Sequence, residues 1–315
     1  MKKSILTKIL VLSLAIAGVL GTYSCHKDTE NQVNAEGQQV TKLAPDMVLA
    51  ANATYLNTSS HQETGFEDNS AEPFNLQESI YSPSYIHTMI PSIKYNNGGD
   101  YVQKFYWTQG VWDAGSKDCS ADRFRKGVEV RSDLNFKKDG WMGFAYMIPT
   151  DFPSDRSTII AQGFNEGSSG GCARSWVWHL TWSNGTLTLT CRKSCGVETY
   201  THVVATNITK GVWKPVVVQW RASNTNHGKV VVWHGQAVYD RSTPQVSRSN
   251  INLGYGTWSS DNLTSFITLK YGIYAYDCCD HVGSNDTEVV YFDNMSQWVD
   301  DAATNNGFDK VDPTQ

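Results

Sequence analysis

Seven polar residues stand at alternate positions of segments that are otherwise apolar. They are Glu129 and Arg131 beside Val128 and Val130, Gln162 after Ile159-Ile-Ala161, His179 between Trp178 and Leu180, Arg192 after Cys191, and Lys270 and Tyr274 within Leu269–Ala275. Side chains of one parity on a strand share one face, so each of these polar groups would project away from its apolar neighbours. Arg, Lys, Gln and protonated His can donate to an anion. A Tyr can take up a proton when nearby cations stabilise its phenolate. Such a set is suited to removing a proton next to a carboxylate whose charge has been neutralised. Tyr276 continues the parity of Tyr274 and is the competing proton carrier. The blander reading is a solvated face, since an antiparallel sheet can leave one side wet. The sharper reading is a groove lined for a long anionic sugar chain.

The elements that must hold these residues are strands. Val128 and Val130 alternate with Glu129 and Arg131; Trp176, Trp178, Leu180 and Trp182 alternate with Val177, His179 and Thr181. Asn184-Gly185 supplies a hairpin turn into Leu187, Leu189 and Cys191. Val216–Trp220 and Lys229–Trp233 are two further apolar runs. Leu269, Tyr271, Ile273 and Ala275 alternate with Lys270, Gly272, Tyr274 and Tyr276, and Val289–Trp298 closes the series. The 11 Trp, 15 Tyr and 25 Gly favour strands and turns over helices. Many strands with almost no helical periodicity predict an all-β jelly-roll sandwich over 76–299, forming one catalytic domain.

The flanks have other tasks. Lys2, Lys3 and Lys8 precede the apolar run Ile9–Leu20, which is a signal-peptide pattern over 1–24. Gly21-Thr-Tyr-Ser24 then leads into Cys25, so lipidation of Cys25 and export to the outer membrane or cell surface are expected, with plain secretion as the alternative. Residues 25–75 are rich in Asn, Gln, Glu, Ser and Thr and read as a tether, and 300–315 as a polar tail that frays. The whole chain carries −5; loss of three lysines with the signal leaves 23 basic against 31 acidic residues, or −8. An acidic monomer of this kind is not expected to bind nucleic acid.

Three segments in order, Gly127-Val-Glu-Val-Arg-Ser-Asp-Leu134, Ile159-Ile-Ala-Gln-Gly-Phe164 and Leu269-Lys-Tyr-Gly-Ile-Tyr274, resemble the signature strands of jelly-roll polysaccharide lyases. These are the alginate lyases with R-x-E-x-R, Q-x-H and Y-F-K-A-G-x-Y motifs and their glucuronan, ulvan and heparin lyase I relatives, a concanavalin A-like group. The resemblance covers about 125–298. It implies β-elimination at a uronate, with Tyr274 as base and acid, Gln162 on the carboxylate, and Lys270, Glu129 and Arg131 on the substrate. Gly127 stands where the first Arg of R-x-E-x-R would be, and Phe164 where the His of Q-x-H would be. Those departures speak against an ordinary alginate lyase and favour ulvan, then glucuronan, with His179 or Arg192 standing in for the missing groups. No cofactor is needed for such chemistry. Related sandwiches suggest a structural calcium, for which Asp293 is a candidate beside its plainer reading as a satisfied turn carboxylate.

Cys119, Cys172, Cys191, Cys195, Cys278 and Cys279 are an even number in an exported chain and are expected to form disulfides, with pairing undetermined. His202, His227 and His234 lie in or beside turns and are surface residues by default. Two rival functions remain. A retaining glycoside hydrolase needs two carboxylates about 5 Å apart, and no E-x-D-x-x-E strand is present. A non-catalytic carbohydrate-binding module would use exposed Trp but has no need of Lys270 with Tyr274.

Overall fold

Alternating apolar and polar residues build two antiparallel sheets whose apolar faces meet. The computed structural model describes residues 61–64, 75–78, 86–91, 95, 101–108, 127–132, 139–165, 175–193, 199–254, 267–281, 286–299 and 307–315. The expected signal, Cys25, most of the tether, and Cys119, Cys172 and Cys195 lie outside these residues.

The strands in chain order are β1 (His61–Thr64), β2 (Asn75–Glu78), β3 (Ile86–Pro91), β4 (Tyr101–Thr108), β5 (Gly127–Arg131), β6 (Asp139–Met147), β7 (Ser157–Asn165) and β8 (Ser175–Ser183). They continue with β9 (Thr186–Arg192), β10 (Thr199–Ala205), β11 (Lys214–Arg221), β12 (Ser223–His234), β13 (Val246–Leu253), β14 (Ile267–Tyr274) and β15 (Thr287–Val299). One sheet runs β13-β12-β11-β6-β15-β4-β3, with β1 also paired to β15. The other runs β10-β9-β8-β7-β14-β5-β2. This is the expected jelly-roll sandwich. The turn between β8 and β9 is Asn184-Gly185, both at positive φ (43° and 78°), a conformation that Asn and Gly tolerate best.

The core lies between the sheets. Val128, Val130, Leu180, Trp182, Leu187, Leu189, Leu269, Tyr271 and Ile273 come from one sheet, and Phe105, Phe144, Val216, Val218, Trp220, Val230, Val232 and Phe292 from the other. The continuous apolar runs of β11 and β12 have a separate cause. Val217, Val231 and Trp233 point to the outer side, where they meet Ala237 and Val238 of helix α1 (Gln236–Tyr239) and Phe308 and Val311 of helix α2 (Gly307–Val311).

Helix α2 corrects the expected fraying tail. Phe308 and Val311 are buried at 2% and 1% exposure, the Phe308 ring stands edge-on to Trp233, and Arg241 pairs with Asp309 and Asp312. Two apolar residues three apart in a polar stretch are too short a signal for a periodicity argument. The strands also begin earlier than 76, since β1 pairs His61–Thr64 with Met295–Trp298 of β15.

Two further expectations change. Cys191 is a free thiol, fully buried beside Leu189, and burial pushes its pKa up. Its place on the apolar parity of β9 makes it a small core residue. Cys278 is disulfide-bonded, as expected, and the pairing of Cys279 lies outside the described residues. His234 is buried, with Nε2 3.1 Å from the Tyr146 hydroxyl, whereas His227 is exposed.

Candidate active site

Strand register lines the predicted residues up on the outward face of the second sheet. Lys270 of β14 is opposite Arg131 of β5 on one side and Gln162 of β7 on the other. Gln162 is opposite His179 of β8, and His179 opposite Thr190 of β9. One row therefore reads Arg131, Lys270, Gln162, His179, Thr190 across five strands. Leu269, Tyr271, Ile273 and Ala275 all enter the core, which leaves Lys270 and Tyr274 together on the other face. Tyr274 is opposite Gly127 and Ile159. Lys270 and Tyr274 are four residues apart, or about 13 Å along the strand.

The row is sheltered. Gln162, His179 and Lys270 are exposed at only 4%, 7% and 6%, while Arg131, Glu129, Tyr274, Phe164, Trp176 and Arg192 around them are half-buried. Long polar side chains on a freely wet sheet face would be far more exposed. The pattern matches a recessed floor better than a solvated face.

Each polar group on the floor is held. The Gln162 amide donates from Nε2 to Glu129 Oε1 at 2.5 Å. Burial raises the Glu129 pKa, against the Lys270 ammonium and the Gln162 hydrogen bond, which lower it. His179 Nδ1 is 2.9 Å from the Thr181 hydroxyl. Burial, helped by the Arg192 charge, lowers the His179 pKa to about 3. Burial and the Arg192 charge thus favour the neutral imidazole in this site, whose ring N–H can still donate to a carboxylate. Lys270 Nζ lies 3.5 Å from the centroid of the Phe164 ring. The residue that replaces the motif His thus seats the cation in its place.

The missing Arg has a steric explanation. A Cβ on Gly127 would lie 1.9 Å from the Ile273 carbonyl oxygen and 2.8 Å from the Tyr274 Cα. No side chain fits between β5 and this part of β14, so the arginine cannot simply be restored. Gly272 is constrained differently: its φ of +137° and a Val128 carbonyl oxygen 2.3 Å from where its Cβ would be both require glycine. The β14–β7 register shifts between Tyr271 and Tyr274, next to this residue.

One participant was not legible from alternation. Trp176 shares parity with the core residues Trp178, Leu180 and Trp182, but a register shift opposite Gly163 and Phe164 places both Val177 and Trp178 in the core. Beyond this bulge Trp176 is half-buried, edge-on to His179 with centroids 4.4 Å apart, and the Arg192 guanidinium lies 4.2 Å from its ring centroid. No glycine or proline in β8 marks the bulge. Tyr276 lies past the end of β14, where its N–H donates to the Tyr274 carbonyl in a tight turn. Asp277 then anchors that turn by accepting from the Ser157 N–H at 2.6 Å.

Asp293 lies in β15 of the other sheet. It is buried, its Oδ2 accepts from the Tyr95 N–H and its Oδ1 from the Asn294 N–H, at a bulge in β15. Among the described residues no group of three or more His, Cys, Asp or Glu comes together as a metal centre.

The site is thus a sheltered polar row on one sheet of a jelly roll. The sequence profile of the family described as polysaccharide lyase matches residues 90–296, and the chain belongs to that family. Among proteins of curated function, none matches the chain in sequence at a significant level. In fold it is similar to an endo-β-1,4-glucuronan lyase from the fungus Trichoderma reesei, at 17% identity and a TM-score of 0.60, covering 82% of this chain and 99% of that one. An alginate lyase from Pseudomonas aeruginosa is 14% identical with a TM-score of 0.43, over 74% and 88% of the two chains. The protein is thus a polysaccharide lyase by family and a jelly roll by fold.

Proposed function

We propose that the protein cleaves a uronate-containing acidic polysaccharide by β-elimination on the outward face of the β7–β14 sheet. What supports this is the registered row Arg131, Lys270, Gln162 and His179 with Tyr274 further along β14. Tyr274 is opposite Ile159, three residues from Gln162 on β7, so their backbones are about 10 Å apart. That gap suits one sugar ring held between a tyrosine and a glutamine. Gln162 donates to the C6 carboxylate, and the Lys270 and Arg131 charges offset its negative charge. A donor so placed is worth about 3 kcal/mol in the transition state.

Tyr274, as phenolate, takes the proton from C5. The C5–H electrons form the C4–C5 double bond, the C4–O4 bond breaks, and the leaving O4 oxygen takes a proton from Tyr274. Neutral His179, fixed by Thr181, contributes a hydrogen bond rather than a charge. The cationic set favours a sulfated polymer such as ulvan, with glucuronan next. Lipidation at Cys25 would hold the enzyme at the membrane surface facing its substrate.

The test is to incubate the protein with ulvan, glucuronan, alginate and heparin and follow ultraviolet absorbance. Elimination leaves a conjugated double bond, while hydrolysis or simple binding leaves none. Absorbance rising with one uronate polymer is expected; shortened chains with no absorbance would mean hydrolysis and overturn the reading.

A further inference from the structure

The same face carries a second feature that proton transfer does not use. Lys270 rests on Phe164, Arg192 rests on Trp176, and Phe164 and Trp176 are direct cross-strand neighbours in β7 and β8. Across β14, β7, β8 and β9 the order is cation, ring, ring, cation. Both charged heads are drawn inward from the outer two strands onto the inner two, whose backbones run about 5 Å apart. With the two cations over neighbouring rings, an anion lying across those rings is attracted by both. The rings fix where the cations stand, since a cation over an aromatic face is held by the ring quadrupole. The β8 bulge is what makes the arrangement possible. Without it Trp176 would be buried with Trp178, and Arg192 would have no ring to rest on.

The two rings and Arg192 lie further along the strands than the reacting sugar, and Lys270 stands between the two places. Phe164 is two residues beyond Gln162 on β7, about 7 Å further along. Tyr274 lies in the opposite direction, opposite Ile159. Along the strands the order is Tyr274, then Gln162 with Lys270, then Phe164 with Trp176.

We propose that Phe164, Trp176, Lys270 and Arg192 form a clamp for an anionic group on the sugar next to the one being cleaved, making Arg192 and Trp176 specificity-determining residues. This rests on the elimination reading above. The group bound is a carboxylate if the neighbouring sugar is a uronate and a sulfate ester if it is sulfated. In either case the enzyme reads charge on two successive sugars.

The experiment compares wild type with Arg192→Gln on glucuronan and partly carboxyl-reduced glucuronan, and on ulvan and desulfated ulvan. Arg192→Gln should raise KM about tenfold on the fully charged polymer that the wild type cleaves, as expected for losing one charged hydrogen bond. It should leave KM nearly unchanged on the neutralised counterpart and shift kcat little. The pair of polymers that shows the difference identifies carboxylate or sulfate. Trp176→Leu, checked for folding by thermal unfolding, should reproduce the KM effect because it removes the seat of the guanidinium. Equal KM changes on charged and neutralised polymers, or none, overturn the clamp. If the wild type cleaves nothing, the lyase reading falls, and electrophoretic retardation in gels containing each polymer decides the clamp. Retardation by the charged polymer that Arg192→Gln weakens supports it; equal retardation of the two proteins overturns it.

Discussion

Gly127→Ala is a one-carbon change that adds and removes no charge, yet the geometry assigns it a large catalytic effect. The new Cβ would lie 1.9 Å from the Ile273 carbonyl oxygen, where real Cβ contacts essentially never fall under 3.0 Å. The strands must therefore part by about 1 Å, and misplacing a reacting group by that much costs on the order of 100-fold in rate. The obstacle is backbone, the carbonyl of Ile273 and the Cα of Tyr274, so no flexible side chain can move aside. Overpacking of this kind costs about 1–3 kcal/mol of stability. Turnover, followed by ultraviolet absorbance on the polymer the wild type cleaves, should thus fall much further than stability does. Gly235→Ala provides the comparison. Gly235 has φ +62° with nothing within 4 Å of the added carbon, so it should lose about 1 kcal/mol from backbone strain and keep its turnover. If Gly127→Ala matched Gly235→Ala in both stability and turnover, the argument that backbone contact between β5 and β14 positions Tyr274 would be refuted.

Tyr274→Phe keeps the ring and removes the exchangeable proton, so elimination should vanish while polymer retardation in gels and thermal unfolding stay near wild type; Tyr276→Phe should cost much less. Most of the activity surviving in Tyr274→Phe would shift the base to His179. Glu288 and Arg156 are paired at 3.2 Å with neither side chain exposed, so Glu288→Ala, which removes the hydrogen-bonded carboxylate and leaves the buried guanidinium to the weaker attraction of Asp277, should cost about 3 kcal/mol in urea unfolding; a loss under 1 kcal/mol would contradict this. His234 has a folded pKa lowered by burial to about 4, so the native state binds fewer protons than the unfolded chain below pH 6.5. Its contribution to stability is full above 6.5 and is lost as pH falls toward 4, at about 1 kcal/mol per pH unit. His234→Gln should accordingly flatten the stability profile between pH 6.5 and 4, and an unchanged slope would show that His234 titrates normally.

How much could be read from the sequence follows from which rules are local. The two parities of β14 were legible because nothing interrupts its alternation with the core up to Ala275. The same rule misassigned Trp176, since the bulge depends on how β8 meets Phe164 and Gly163 of β7, a tertiary fact without a local marker. For Cys191 the alternation already held the answer, placing it with Leu187 and Leu189, but the even cysteine count suggested a bridge instead. The neutrality of His179 comes from burial and from Arg192 on the next strand, neither of which the alternation of β8 reveals. Gly127 was visible only as a departure from the motif, and its cause appears once Tyr274 is seen opposite it.

The place of β15 in the first sheet constrains how the molecule is made. This strand lies between β6 and β4 and also pairs with β1, yet it is the last of the described strands in chain order. Among the described strands, β15 is what joins β4 and β3 to β6, β11, β12 and β13, and it is the strand that pairs with β1. A nascent chain ending at β14 could therefore assemble the sheet that carries Tyr274 but not the sheet that backs it. Pairings between strands so distant in sequence are slow to form because loop closure precedes any gain in contact. Folding should thus be committed late, after synthesis of the whole domain. Substitutions in β15 would then act first on yield, before any effect on turnover could be seen.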